Sequence, residues 1–315
     1  MQLIEWRLDR LDELVSLWNQ ELGRDFPMRK ELFEQNSFQD ENICYDASRI
    51  AVNEQGQIIG FVVGKRWQEE LEIPMKDKTG WIQVILVHHE YRNKGIGSNL
   101  LRHAEDAFQL AGMQEILLGK DPWHYFPGVP LDSYEDWFEK RGYHSFGKEF
   151  DMLCKYEGEV AKELPALPNV EFSILKYEEK EAFLTFLHRC FPGRWEYEAH
   201  QYFQKGGNGR EFAVLKKENK IIGFSRINDN SSPLIAQNVY WAPLFSQELG
   251  GVGPLGVDSA ERGNGYGIAI VQAAIAFLRN RDIKHIVIDW TGLVDFYRKL
   301  DYKVWKGYTS YRKVL

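Results

Sequence analysis

Cysteine is scarce. The 315 residues contain only Cys44, Cys154 and Cys190, an odd number with no CxxC pair and no Cys/His spacing of zinc type. That excludes a disulfide scaffold or a zinc finger and leaves reduced structural or surface thiols. Long apolar runs are also missing. No stretch approaches the ~18 residues of a membrane span, and the first residues, Met1 to Leu14, alternate charged with apolar side chains, unlike a signal peptide. A cytoplasmic protein without a membrane partner is expected. Positive charge is not in excess: the formal net charge of -7 argues against nucleic acid as a partner, because binding phosphates requires a basic face. A small amine or a neutral substrate suits this balance better. With 44% hydrophobic residues there is enough apolar material for ordinary cores, so disorder is not expected.

The length fits two domains of about 150 residues, which makes duplication the first thing to test. Ile58-Ile59-Gly60-Phe61 recurs as Ile221-Ile222-Gly223-Phe224, and Arg92-x-x-Gly95-x-Gly97 recurs as Arg262-x-x-Gly265-x-Gly267. A third pair, Trp137 to Tyr143 against Phe296 to Tyr302, follows in the same order. Each copy predicts a hairpin: Arg49 to Glu54 with Gln57 to Trp67, and Phe212 to Lys217 with Lys220 to Ile227. Next comes an apolar strand, Trp81 to Val87 or Val252 to Val257, and then the glycine turn and a helix. In the first copy that helix carries Leu100, Leu101, Ala104, Ala107, Phe108 and Ala111 on one stripe, with Gly112 as its stop. In the second, Ile268 to Leu278 is apolar on most sides. Glu157 to Asn169, with Pro165 and Pro168, reads as a linker between domains at 1–158 and 168–315.

A strand that passes through Arg-x-x-Gly-x-Gly into a helix has a physical use. Glycines let a ligand approach the backbone, and the unpaired N–H groups of the first helical turn favour an anion such as a pyrophosphate. A dinucleotide fingerprint fits less well, since Asp258 to Arg262 intervene between strand and glycines and the first copy lacks a third glycine. A GxxxxGK[ST] loop is absent.

These residues resemble the acyl-CoA-binding motif of the GNAT acetyltransferases. The likeness rests on Leu86, Val87, Arg92, Asn93, Lys94, Gly95, Ile96, Gly97 and Ser98 in the first copy. In the second it rests on Leu255, Gly256, Val257, Arg262, Gly263, Asn264, Gly265, Tyr266, Gly267 and Ile268. The resemblance implies an α/β (α+β) protein of two tandem GNAT domains, each a mixed twisted sheet splayed between its fourth and fifth strands and flanked by helices. It implies acetyl-CoA as co-substrate, no metal, and transfer of an acetyl group to a primary amine by direct attack. Gly256 is either the seat of a bulge that turns an N–H toward the thioester oxygen or part of a plain tight strand.

The resemblance also assigns chemistry. Tyr297, in Phe296-Tyr297-Arg298-Lys299-Leu300-Asp301-Tyr302, matches the tyrosine that protonates the leaving thiolate, although Asp301 stands where a glycine is usual. The first copy has Phe138 there and cannot donate a proton, which points to the C-terminal domain as the catalytic one. The base is open between Asp289 and Asp258, and His285 is assigned to the sheet. Arg194 and Trp195, in Phe191-Pro192-Gly193-Arg194-Trp195-Glu196, lie where the acceptor site is expected. The aromatic insert Lys120 to Pro130 reads as a lid or a packing clasp. The tandem layout is similar to mycothiol synthase and to bacterial glucosamine and glucosaminide N-acetyltransferases, which makes an amino sugar the first acceptor to consider. A non-catalytic acyl-CoA sensor, or a polyamine, amino acid, aminoglycoside or peptide acceptor, is the alternative. The tandem aminoacyl-tRNA-dependent transferases fit less well, because they lack the glycine motif and need a basic face. Nothing in the sequence sets the oligomeric state.

Overall fold

The computed structural model describes residues 1–156, 158 and 163–315. Of the expected linker, residues 157 and 159–162 lie outside the described residues, and 163–169 carry no helix or strand. No described helix is long and apolar enough to cross a membrane.

The chain forms two compact units, residues 1–71 with 76–149 and 306–315, and residues 72–75 with 150–305. The first begins with β1 (Gln2–Glu5), α1 (Leu11–Leu22), α2 (Lys30–Ser37) and the hairpin β2 (Arg49–Val52) and β3 (Ile58–Arg66). Then come β4 (Thr79–Val87), α3 (Ile96–Leu110), β5 (Glu115–Leu118), the two-residue β6 (Val129–Pro130) and the short α4 (Glu135–Glu139). β7 (His144–Lys155) carries the chain into the second unit. There β8 (Glu171–Ile174), α5 (Lys180–Cys190), α6 (Arg194–Gln204), the hairpin β9 (Phe212–Lys217) and β10 (Lys220–Asn228), β11 (Leu249–Val257), α7 (Tyr266–Arg279), β12 (His285–Thr291) and α8 (Val294–Arg298) repeat the scheme. β13 (Lys303–Val314) closes the chain.

The sequence signals act locally. β3 and β4 are apolar along nearly their whole length and are buried along it, as strands covered on both faces are. The stripe of α3 puts Leu100, Leu101, Ala104 and Phe108 into a core with Ile82, Ile116 and Tyr311. The more uniformly apolar α7 packs across β9, β10 and β11, and its Ile270, Val271, Ala273 and Ala274 are fully buried.

Within the first unit the strands run β1-β2-β3-β4-β5-β13, and within the second β7-β12-β11-β10-β9-β8. Each unit is therefore closed by the last strand of the other copy, and the units differ from the contiguous boundaries 1–158 and 168–315 in those strands and in residues 72–75. In equivalent registers Leu153 of β7 faces Val287, and Arg312 of β13 faces Leu117. Strand pairing is made by backbone groups that all residues share, so duplicated sheets offer both closing strands the same docking edge.

Candidate active site

The glycine turn of the second unit is open. Gly265 lies in the left-handed region (φ 76°) immediately before α7, and a side chain at Gly263, Gly265 or Gly267 would meet nothing within 4 Å. Arg262 and Asn264 stand exposed beside the turn, while Tyr266 and Ile268 face inward to differing degrees. The N–H groups of the first turn of α7 thus border clear space with a guanidinium at its edge, a setting that suits a pyrophosphate.

The parallel pairing of β11 with β12 ends at Gly251 opposite Val287, and the strands part beyond it. Of the two readings of Gly256, the structure gives the plain strand, in register with Phe224, and the bulge is earlier in β11: Ser225 faces Leu255 but Ile227 faces Val252, so Gly253 and Pro254 stand opposite Arg226. Gly256 has a different purpose, because the ring of Phe191 lies 2.3 Å from where its Cβ would be. Close ring packing accounts for that glycine.

Asp289 lies at the splay. One of its carboxylate oxygens is 3.7 Å from the position a Cβ on Gly253 would take. Desolvation and the neighbouring charge of Asp151 push its carboxyl up to about 7, against an opposing pull from Arg194. Asp151 accepts a hydrogen bond from the Trp290 N–H at 3.1 Å, and the Arg194 guanidinium lies 4.2 Å from the centre of the Trp290 ring. Arg194 Nε donates to Glu198 at 2.6 Å, and Glu198 also faces Arg226 at 3.6 Å. Arg226 is only 1% exposed, and none of its three nitrogens makes a hydrogen bond. The second acid candidate, Asp258, is differently engaged: it caps the turn after β11 by accepting from the Ala260 N–H and pairs with Arg189 at 2.7 Å. These contacts hold its carboxyl below the ordinary range.

Tyr297 is the fourth residue of α8 and is buried against Phe296 and Tyr302. Burial and the charge of Asp289 raise its phenol, so the proton stays on oxygen throughout the neutral range. Trp195 packs with Phe191 and Phe224, so the ring that carries the Arg194 cation is Trp290, which the sequence had not singled out. Asp151, Glu198 and Arg226 were also missed. A charged residue in the apolar run of β10 was the one local signal, and it pointed to Arg226.

The sequence profile of the acetyltransferase (GNAT) family matches residues 11–127 and again residues 180–302. The chain belongs to the GNAT acetyltransferase family. Among solved structures it is similar to a glucosamine N-acetyltransferase region of a fungal multi-domain GH3 beta-N-acetylglucosaminidase, with a TM-score of 0.86 and 25% identity. That match covers 99% of this chain and 38% of the longer fungal one. A GCN5-related N-acetyltransferase from Sphaerobacter thermophilus (TM-score 0.72, 15% identity) is matched over 99% of this chain and 95% of its own. A tandem GNAT protein from the clavulanic acid biosynthesis pathway (TM-score 0.68, 13% identity) is matched over 99% and 98% respectively. None of the curated proteins matches this sequence. The chain thus carries two tandem GNAT acetyltransferase domains, from a family that generally uses acetyl-CoA.

The first GNAT unit has the same frame with different side chains at the equivalent positions. Gly95 repeats the left-handed turn at φ 80°, but Trp137 lies 3.3 Å from the Cβ position of Gly97 and carries Arg141 on its ring, which reaches Ser98. Arg92 is tied to Glu21 and to the Val87 carbonyl, while Asn93 and Lys94 stay exposed. Gln83 occupies the bulge where the second unit has Gly253, and Gly119 stands in place of Asp289. Around Gln83 lie Lys65, Asp40, Asp121, Ser37 and Tyr125, all buried and joined by bonds of 2.7 to 3.3 Å. The insert from Lys120 to Pro130 is a clasp: Trp123, His124, Tyr125 and Phe126 are buried, and Tyr125 and Phe126 pack on Trp18.

Proposed function

We propose that the second unit transfers an acetyl group from acetyl-CoA to a primary amine of a small molecule, with an amino sugar as the acceptor class. The observation that carries this reading is Asp289, a partly accessible carboxylate beside Gly253 with its carboxyl pushed up to about 7. A base with that affinity can accept a proton from an ammonium near neutral pH and release it again.

The residues divide the work. Acetyl-CoA supplies the activated thioester. Arg262, Gly263, Asn264, Gly265, Tyr266, Gly267 and Ile268 receive its pyrophosphate, and Leu255 to Val257 flank the pantetheine arm. Asp289 takes one proton from the acceptor ammonium, the freed nitrogen forms the new bond to the acetyl carbon, and its second proton leaves to solvent as the tetrahedral adduct collapses to the amide. As the carbon–sulfur bond breaks, Tyr297 gives its phenolic proton to sulfur and regains one from solvent. Amine and thioester become amide and thiol, with no charge left over.

Two features support an amine. Asp289, Asp151 and Glu198 outnumber Arg194 and Arg226, so the local balance favours a cation. The amino sugar rests on the likeness to the fungal glucosamine N-acetyltransferase region and on the polar groups beside the splay, where Gln237 donates to Glu198 and Asn238 to the Gly253 carbonyl. The first unit is proposed to be non-catalytic, since Phe138 and Gly119 stand in place of Tyr297 and Asp289. Release of coenzyme A should be followed over glucosamine, glucosaminides, polyamines, amino acids and aminoglycosides. Clear turnover with a polyamine or amino acid and none with any amino sugar would reject the acceptor class. Full activity in Asp289→Asn would reject the base.

A further inference from the structure

We infer that Asp151, delivered by the closing strand of the first copy, is a positioning residue for the acetyl-transfer site of the second. The inference rests on the reading of Asp289 as the base.

The geometry is specific to one corner. Along the pairing of β12 with β7, Ile288 faces Met152 but Thr291 faces Phe150, so the single residue Asp151 stands opposite both Asp289 and Trp290. Trp290 takes a left-handed φ of 42°, which is costly for a bulky side chain and persists only where the surroundings hold it. The Asp151 carboxylate, 6% exposed, accepts the N–H of that residue. It thereby fixes the turn from which Asp289 projects on one side and on which the Trp290 ring supports Arg194 on the other. Its charge also bears on Asp289. The charged and titratable groups around Asp289 are Asp151 from β7, Arg194 and Glu198 from α6, and Tyr297 from α8; β11 contributes Gly253, which carries no charge.

The other closing strand is an internal comparison. Leu153 and Arg312 hold matching registers, so the residue equivalent to Asp151 is Ser310. In the first unit the residues equivalent to Asp289 and Trp290 are Gly119 and Lys120, the latter also left-handed at φ 66°, so no carboxylate takes the place of Asp289. The acid is present only where Asp289 is.

Two roles can be separated by chemistry. Asp151→Asn keeps an oxygen that can accept the Trp290 N–H but removes the charge. Asp151→Ala removes both. In the full chain, with the preferred amine and saturating acetyl-CoA, Asp151→Asn should move the acidic limb of the kcat/KM profile about one pH unit lower, the scale of a nearby like charge. It should hold kcat on the plateau within about threefold. Asp151→Ala should lower plateau kcat by about tenfold or more, since small misplacement of reacting groups is costly, while the affinity for acetyl-CoA is unchanged. Should Asp151→Asn fail to fold, Asp151→Ser places there the residue that the first unit accommodates, and the same shift is expected. An unmoved limb in the folded Asn or Ser variant, with equal loss of kcat in Asn and Ala, would overturn the inference and leave a merely structural acid. Asp289→Asn distinguishes the two levels: if it stays active, the reading of the base has failed; if it is inactive while Asp151→Asn leaves the limb unmoved, only the present inference has.

Discussion

Lys65→Met tests whether the first unit is sealed by a buried ion cluster. The ammonium of Lys65 lies 2.7 Å from Asp40 and 2.7 Å from Asp121, and the three side chains are no more than 1% exposed. Burial works against the charge on Lys65, but two carboxylates overcome it and hold the proton in place. Methionine is similar in volume, so little of the loss would come from a cavity. Most would come from the two carboxylates left facing each other without a cation. Removing one partner of a buried pair costs about 3–5 kcal/mol, and here two acids lose the same partner. A loss near the upper end, about 4–5 kcal/mol, corresponds to a melting point lower by roughly 10–15 °C for a unit of this size. The sign of its pH dependence follows. In the variant one carboxyl must take up a proton for the unit to fold, so the folded state binds more protons than the unfolded one. The penalty is therefore largest at and above neutral pH and shrinks as the pH falls, by up to about 1.4 kcal/mol per unit. Urea unfolding of the full chain at pH 5, 6, 7 and 8 measures both quantities. A loss below about 1 kcal/mol, or the same loss at pH 5 and pH 8, would refute the picture of a dry ion cluster. Turnover by the folded fraction should be within about twofold of the parent, because Tyr297 and Asp289 belong to the other unit.

Tyr297→Phe should lower kcat by about 10² to 10⁴ and spare acetyl-CoA affinity, measured at saturating acetyl-CoA across pH, whereas Phe138→Tyr should change turnover less than twofold. Gly265→Val should weaken acetyl-CoA binding at least about tenfold by calorimetry; the left-handed φ of 76° strains valine by about 1–2 kcal/mol, yet with nothing within 4 Å the unit should fold and melt only a few degrees lower. Asp289 should appear as an acidic limb near pH 7 in kcat/KM, because only the ionised form accepts a proton. Its raised carboxyl means the folded state keeps a proton that the unfolded chain has already released, so the contribution of Asp289 to stability declines as the pH rises from about 4 to about 7. Asp289→Asn should remove that slope in urea titrations, and an unaltered slope would place the titration elsewhere.

Much of the molecule was legible along the chain. The recurrence of Ile-Ile-Gly-Phe and Arg-x-x-Gly-x-Gly in order declared a duplication, and the hairpins, the glycine turns and α3 and α7 appear where turn chemistry and apolar spacing put them. Those signals are local, since a left-handed glycine before a helix or an apolar stripe on one face depends on neighbours a few residues away. The contrast of Tyr297 with Phe138 was also readable, because aligned copies compare their own residues.

Only the tertiary structure decided the rest. Which sheet each closing strand joins depends on backbone pairing that carries almost no side-chain information, so the exchange of β7 and β13 could not be read from composition or period. The same exchange brings together Asp151 and Trp290, 139 residues apart in the chain. The difference in environment between Asp289 and Asp258 was invisible for a related reason: both are aspartates at strand ends. One is raised by desolvation and a like charge, while the other is lowered by a backbone N–H and an arginine. The buried cluster of Gln83, Lys65 and the aromatic clasp in the first unit follows the same rule. Each residue is ordinary in the sequence, and its meaning arises from what burial places beside it.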